Sequence, residues 1–463
     1  MTLTVITDGR LTALCKTQKL SATLLCVKAR LVRFPRAVHN LALESFSPER
    51  QQIPVTPSMR ALYVSHTGMS EPLGRSQVVP YLVGLAQAGV AIDVVAFEPP
   101  SAAAPEIAAV TQLLGDHGIG YAWTRRSPSH ALATKLAESL RAFVGLLTRA
   151  LAKRPRVIHA RSYLPGAVAQ LVRRMTPGSR FLFDCRGLLG DEYVDFGHWS
   201  RGSFRYRLIK LAERRLFGGA DAIVVLTDRL RRWLREEERL VAASVPVEVI
   251  PCCVDLARFA VDDAARAQAR RELGAGDRLV VAYAGTLGAW YCEAEMARLF
   301  AAVRRRRPAL FLVLTRADAG KLRRALGEAG ISDGDIVVRS AAQTEMPSQL
   351  SAADVGISFA EPRFSKIASS PVKVAEYLAV GAPVVLNRGV GDQDPMLAQH
   401  PESLLDAGQM TAADLEAAAA RIAALPLDDA AARARHHALA GANFALDGIG
   451  IARYRRLYER MAH

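Results

Sequence analysis

From residue 60 onward, hydrophobic and polar positions follow two alternating rhythms, which predict a repeating order of strand, loop and helix. ALYVSH (61–66) is a short apolar run with the length of a buried strand, and TGMSEPLGRSQ (67–77) is a glycine-bearing loop. VVPYLVGLAQAG (78–89) has helical spacing closed by Gly89, and VAIDVVAFE (90–98) is the next strand. The alternation continues through a helical stretch near 131–153, the strand RVIHA, the helix GAVAQLVRRM and the strand FLFDCRG. A basic helical region from about 201 to 217, the strand ADAIVVLT, a second basic helix around 228–240 and VEVIP complete this half. Strands separated by helices imply a parallel, doubly wound sheet.

A second series with the same rhythm starts after VDLARF. Its strands are LVVAYAGT, ALFLVLT, DIVVRS, VGISFAE and APVVLN, with helical segments between them. With 463 residues, the chain is long enough for two cores. The expected organisation is an α/β chain with two Rossmann-like domains facing each other across a cleft, the first over 58–247 and the second over 248–440. Residues 441–463 read as an amphipathic helix free to pack on either domain. Ligands of open parallel sheets sit beyond the carboxyl ends of the strands, so each loop after a strand is a candidate site element.

Residues 1–57 lack this rhythm. They carry eight Lys/Arg against Asp8, Glu44 and Glu49 and end in the breaker-rich SPERQQIPVTPS, so they read as a basic, poorly ordered extension. The whole chain has a formal charge of +15, which favours polyanionic partners: nucleotide phosphates, anionic lipid or nucleic acid. Nucleic acid ranks last, because no interleaved aromatics or known motif accompany the charge. No apolar run is long enough to span a bilayer. The six cysteines, Cys15, Cys26, Cys185, Cys252, Cys253 and Cys292, show no Cys-x-x-Cys pair or metal-ligand spacing, so free thiols in a reducing compartment and no bound metal are expected.

The stretch SPVKVAEYLAVGAPVV (370–385) is the richest in chemistry. Ser370 is suited to cap a helix and Pro371 to open it. The next amides, on Val372 and Lys373, then point out of the positive helix end, where an anion binds, and Lys373 adds a full charge. Glu376 lies one turn further on the same side and is placed to accept hydrogen bonds from hydroxyls such as those of a ribose. An ordinary capped helix with a surface Lys–Glu pair has the same signature.

Seven segments, in order, carry a resemblance: GMSEPLGRSQV (68–78), VIHARSYLPG (157–166), FDCRGLLGDE (183–192), ADAIVVLT (220–227), VIPCCVD (249–255), YAGTLGAWY (283–291) and SPVKVAEYLAVGAPVV. Together they resemble the family 4 (group 1) retaining glycosyltransferases of the GT-B fold over residues 60–460. The resemblance implies a nucleotide-sugar donor, UDP- or GDP-linked, on the second domain and an acceptor on the first. It also implies a C-terminal helix (441–463) that crosses back to the first domain, and no metal or other cofactor. Glu376 matches the second glutamate of the family's Glu-x7-Glu motif. Ala368 stands where the first, which contacts the donor sugar, would fall. Ser369, Ser370 and Glu361 are nearby polar candidates to replace it.

The remaining candidates follow from the same match. Gly68 and Gly74 flank the loop that the family lays over the donor diphosphate, and Gly285, Thr286 and Gly288 offer backbone approach to phosphate. Plain turns demand glycine there as well. Lys373, with Arg316 or Lys366, is the candidate diphosphate cation, and Arg339 borders the nucleotide base. His159 is a candidate catalytic residue with Lys373, while Arg161, Asp184 and Arg186 are candidates to line the acceptor pocket. A structural ion pair involving Asp184 is the competing account. The implied activity is hexosyl-type transfer to a glycan or lipid-linked acceptor in bacterial polysaccharide or glycoconjugate synthesis. The implied location is the cytoplasm; the charge of the basic helices of 201–239 suits an anionic inner membrane face that carries a lipid-linked glycan, and a solvated helix face is the competing account. The alternative is a GT-B protein that has lost catalysis and serves as a partner or scaffold in glycan assembly.

Overall fold

The computed structural model of the chain describes residues 59–129, 132–288 and 290–462. The extension 1–57, with Cys15 and Cys26, lies outside the described residues. The first sheet holds β1 (Met59–Ser65), β2 (Val90–Glu98), β3 (Gly120–Arg125), β4 (Val157–Arg161), β5 (Arg180–Asp184), β6 (Ala222–Val225) and β7 (Val247–Val249), in the order β3-β2-β1-β4-β5-β6-β7. The second holds β8 (Leu279–Ala284), β9 (Ala309–Leu314), β10 (Ile336–Arg339), β11 (Val355–Ser358), β12 (Val384–Leu386) and β13 (Leu404–Asp406), in the order β10-β9-β8-β11-β12-β13. All neighbouring strands pair in parallel. The side chains of the central strands are buried on both faces, which explains their near-continuous apolar runs. The order reverses at β1/β4 and again at β8/β11, and at such switch points the loops diverge to leave a crevice.

Three boundaries differ from the sequence expectation. β7 pairs with β6 through Val249, so the first sheet runs past residue 247. The helix Ala104–Asp116 and the strand β3 escape the pattern reading. PPSAAAPE reads as loop, and β3 is a half-exposed edge strand with little periodicity. Residues 441–463 are not one helix: Ala430–Phe444 ends first, Ala445 pairs with Val254 as an isolated bridge, and Leu446–Ile451 forms a wide turn before the final helix Ala452–Ala462. The outgoing and returning crossings therefore run side by side, joined by Val254 N–H to Phe444 C=O (2.8 Å) and Leu446 N–H to Val254 C=O (3.0 Å). Tyr454, Leu457, Tyr458 and Met461 bury the final helix in the first domain's core.

The two domains also meet along the segment Phe364–Ala368. Ile367 and Ala368 join the core of the first domain. Ser365 N–H donates to Asp195 (2.8 Å), and the Asp228 and Arg229 amides donate to Asp392 (2.7 and 3.0 Å). Trp290 packs on Phe196, with ring centroids 3.8 Å apart, and the Lys366 ammonium lies 3.8 Å from the Trp290 ring centre.

Candidate functional site

The helix Val372–Ala379 starts one residue later than the sequence suggests. Pro371 is its N-cap and supplies no side-chain cap, while Ser370 Oγ accepts from the Cys252 amide (3.2 Å) across the domain crossing. The capping role expected of Ser370 is thus replaced by an interdomain hydrogen bond. Val372 opens the helix; the Val374 amide reaches back to the Pro371 carbonyl (3.1 Å), while the amides of Val372 and Lys373 have no carbonyl one turn earlier within the helix.

Lys373 is only 7 % exposed, and its ammonium has no hydrogen-bond partner. It lies 4.0 Å from the ring centre of Tyr283 and 4.3 Å from that of Tyr291, so two aromatic faces supply its main favourable contacts. Burial pushes its pKa down to about 7, against a smaller opposing effect of the Glu376 charge. The exposed Gly285 stands beside it. At φ 134° this residue adopts a backbone that side-chain-bearing residues rarely take, and a Cβ there would come within 3.1 Å of Lys373 Nζ. Thr286 is exposed, and Gly288 (φ 127°) faces open space. Half-buried Glu376 shares a small pocket with Arg258, Gln343 and Gln77, and burial pushes its carboxyl up to about 7. A buried unpaired ammonium, a helix N-terminus and a glycine-permitted approach converge here, and that combination suits a phosphate.

The first domain's candidates behave differently. Asp184 is fully buried at the end of β5. Its Oδ2 accepts from Arg186 Nη2 (2.8 Å) and Tyr454 Oη (3.0 Å), and its Oδ1 lies 2.8 Å from Arg186 Nε as an ion pair. It also pairs with His159 Nε2 (3.3 Å) and lies 3.8 Å from Arg161. Burial pushes the carboxyl up, but Arg186, the His159 hydrogen bond and Arg161 outweigh it and hold it well below the usual carboxylate range. His159 Nδ1 pairs with Tyr458 Oη (2.7 Å), so both ring nitrogens are engaged, and burial lowers the pKa of the ring. Through these contacts His159 fastens the final helix to β4. Arg161 and Arg186 share the same cluster and lie close enough to Cys252 to lower its pKa, although burial raises the thiol overall. Ser162, just after β4, is forced to φ 74° as its amide reaches the Asp184 carbonyl (2.9 Å).

Gly68 and Gly74 are needed for the loop's own packing: a Cβ on Gly68 would meet Glu98 Oε2 at 2.4 Å, and one on Gly74 would meet the Gly68 carbonyl at 2.0 Å. Glu98 accepts from the Met69 and Ser70 amides (2.8 and 3.2 Å) and from the hydroxyls of Ser70 and Tyr121, which fixes the loop. Arg316 is exposed after β9, and Arg339, on the edge strand β10, donates to the Glu272 carbonyl (3.1 Å). Neither contacts Lys373. Lys366 is taken up by Trp290, Phe196 and Glu192, the last at 3.8 Å. Glu361 pairs with Arg363. Ala368 is 1 % exposed inside the first domain's core, so a carboxylate at that position would be buried among apolar groups. Tyr283, Tyr291 and Arg258 were not found by sequence reasoning. Their only signal is position after β8 and at the crossing, since their roles arise from tertiary contact.

Cys185, Cys252, Cys253 and Cys292 are free thiols. Among the described residues no cluster of His, Cys, Asp or Glu could hold a metal ion, and no helix is long and apolar enough to cross a membrane.

Residues 75–253 match the family described as glycosyl transferase 4-like domain. The chain is 30% identical, over 251 residues, to a GDP-mannose-dependent alpha-(1-6)-phosphatidylinositol monomannoside mannosyltransferase of Mycolicibacterium smegmatis. That match covers 51% of this chain and 61% of the relative, so the chain spans about three fifths of the curated relative's length. Among solved structures, sucrose-phosphate synthase from Thermosynechococcus elongatus has a TM-score of 0.64 at 17% identity, covering 87% of this chain and 99% of that one. The Anabaena protein HepE, solved with UDP-glucose, has a TM-score of 0.61 at 14% identity, covering 87% and 100%. Two parallel Rossmann-like sheets and the shared fold make this chain a GT-B protein, whose residues 75–253 match the glycosyl transferase 4-like domain.

Proposed function

We propose that the protein is a retaining, metal-independent glycosyltransferase that moves a sugar from a nucleoside-diphosphate sugar to a glycan or lipid-linked acceptor. The observation that carries this reading is the buried, unpartnered Lys373 ammonium at the start of the helix Val372–Ala379, beside Gly285 and one turn from Glu376. Burying a cation without a partner is costly, and a diphosphate at this position would remove the cost. The curated relative is described as GDP-mannose-dependent, and HepE was solved with UDP-glucose, which supports a UDP- or GDP-sugar donor.

In this reading Lys373 and the first-turn amides hold the diphosphate, Glu376 accepts from the ribose hydroxyls, and the 285–288 turn admits the phosphates. As the bond from the anomeric carbon to the phosphate oxygen breaks, negative charge grows on that oxygen. Lys373 and the helix end stabilise it more then than in the ground state. The acceptor hydroxyl approaches from the leaving-group side and gives its proton to the departing phosphate, so the anomeric configuration is retained without an enzyme nucleophile. The role of the protein is to place the two substrates and stabilise the leaving charge. Arg161 and Arg186 stand at the carboxyl ends of β4 and β5, on the acceptor side. The wider setting is glycan or glycoconjugate synthesis in the cytoplasm, with no nucleic-acid partner.

A catalytically impaired partner protein is the second reading, favoured by the burial of Ala368 where the family has a carboxylate. A thermal-shift panel of UDP-, GDP- and ADP-sugars, followed by a transfer assay on the binding donor, separates the two. Stabilisation by one nucleotide class together with transfer, both lost in Lys373→Met, supports the transferase. Stabilisation without transfer to any acceptor supports the partner protein, and no response to any donor overturns the transferase.

A further inference from the structure

The helix Phe204–Gly219 lies outside the first sheet, packed on the helices Tyr163–Met175 and Leu189–Asp195. Its inward side is well satisfied. Leu216 and Phe217 enter the core, Glu213 accepts from Tyr163 Oη (2.6 Å), and Asp191 accepts from Lys210 (2.9 Å) and Tyr206 (3.0 Å).

The outward side is unusual. Phe204, Leu208 and Leu211 are 78 %, 53 % and 45 % exposed, and their spacing of four and three residues sets them in one stripe along the helix. Leu164 and Leu171, seven residues apart on the neighbouring helix, are exposed as well. At 100° per residue, Arg205 falls on one flank of the stripe, Arg207 and Arg214 on the other, and Arg215 within it. These four arginines are exposed, and none forms an ion pair among the described residues. The second basic stretch differs, because three of its arginines find partners within the chain. Arg231 and Arg232 pair with Asp228, and the Arg235 guanidinium donates to the carbonyls of Ala242 and Val245.

An apolar stripe between free arginines is the composition that lies in the interface of a bilayer, with side chains at the acyl boundary and guanidinium groups among anionic headgroups. We propose that the outer face of the helix Phe204–Gly219 docks the protein on an anionic lipid bilayer. This surface shares no residue with the donor site, and the inference stands whether or not the transfer reaction does. A mechanical link to the cleft also exists. The helix Leu189–Asp195, held by Lys210 and Tyr206 through Asp191, presents Asp195 to Ser365 and Glu192 to Lys366 of the second domain. Docking would therefore hold the acceptor-side wall of the cleft at a fixed height above the lipid.

Flotation of the full chain with vesicles of phosphatidylcholine alone, or mixed with phosphatidylglycerol, tests the proposal. Recovery is expected on the anionic vesicles only and should fall with added salt. Two variants, Phe204→Ser/Leu208→Ser/Leu211→Ser and Arg205→Gln/Arg207→Gln/Arg214→Gln/Arg215→Gln, should each reduce partitioning by about tenfold or more while keeping the thermal midpoint. Equal recovery on both vesicle types overturns the proposal, as does wild-type partitioning by both variants, which would place lipid binding elsewhere in the chain. A wild-type dimer that the triple serine variant dissociates would assign the stripe to a second copy instead.

Discussion

At the carboxyl ends of β4 and β5, two arginines and a histidine converge on Asp184, and two tyrosines of the returning helix close the cluster. At the carboxyl end of β8, Lys373 is just as deeply buried but meets only aromatic rings. Both edges are the part of a parallel sheet where ligands are expected, yet only at the second does the buried cation have no carboxylate within ion-pair distance. The comparison teaches that position beyond a strand end is not sufficient evidence of function. A charge already matched within the protein holds the fold together, and one left unmatched is available to a ligand.

The sharpest way to break this comparison is to remove Asp184. With the carboxylate gone, Arg161 and Arg186 are left as uncompensated buried cations, so Asp184→Ala should lose about 3–5 kcal/mol of stability in chemical denaturation. A stable variant with selectively lost acceptor turnover would instead make the cluster a binding site. Lys373→Met should show the opposite behaviour. Transfer should drop by about 10²–10³-fold, as for loss of a group that stabilises leaving charge. The thermal midpoint of the free protein should stay level or rise, because an unpaired buried ammonium is removed. A variant that unfolds would move Lys373 to the structural side. Smaller still is Tyr458→Phe, which removes the hydroxyl from His159 Nδ1. It should cost about 1 kcal/mol of stability and leave donor affinity unchanged.

The same contrast explains what was legible in the sequence. Both sheets could be read from apolar runs such as VVAYA and FLFD, because strands buried on two faces need nearly every position apolar. The place of Lys373 and Glu376 was legible because the proline, the lysine and the glutamate share one short helix, where spacing fixes geometry. The pairing of His159 with Tyr458 was not legible, because the two lie 299 residues apart and no local pattern carries such a pairing. Ala368 showed as a missing carboxylate, but its insertion into the other domain's core depends on how the two domains close. At Gly68 and Gly74 the close approach is to Glu98 and to the loop itself, a tertiary contact that the motif does not display.

The smallest predicted effect, in pH, probes the unmatched edge most directly. In the free protein Lys373 and Glu376 each titrate at about 7, with Tyr283 and Tyr291 around the ammonium and Arg258 facing the carboxylate. A bound diphosphate favours the charged lysine, so donor affinity should fall as pH rises through about 7, where the free protein loses that proton. A ribose hydroxyl is better accepted by an ionised Glu376, so affinity should also fall as pH drops through about 7. The result is a shallow maximum near neutrality, measurable by titration calorimetry with a non-transferable nucleoside diphosphate. Glu376→Gln separates the limbs: the acid-side fall attributable to Glu376 should flatten. The alkaline fall should move to lower pH, because the carboxylate that favours the charged lysine has gone. An alkaline limb that does not move would mean that another group, not Lys373, carries the donor's charge.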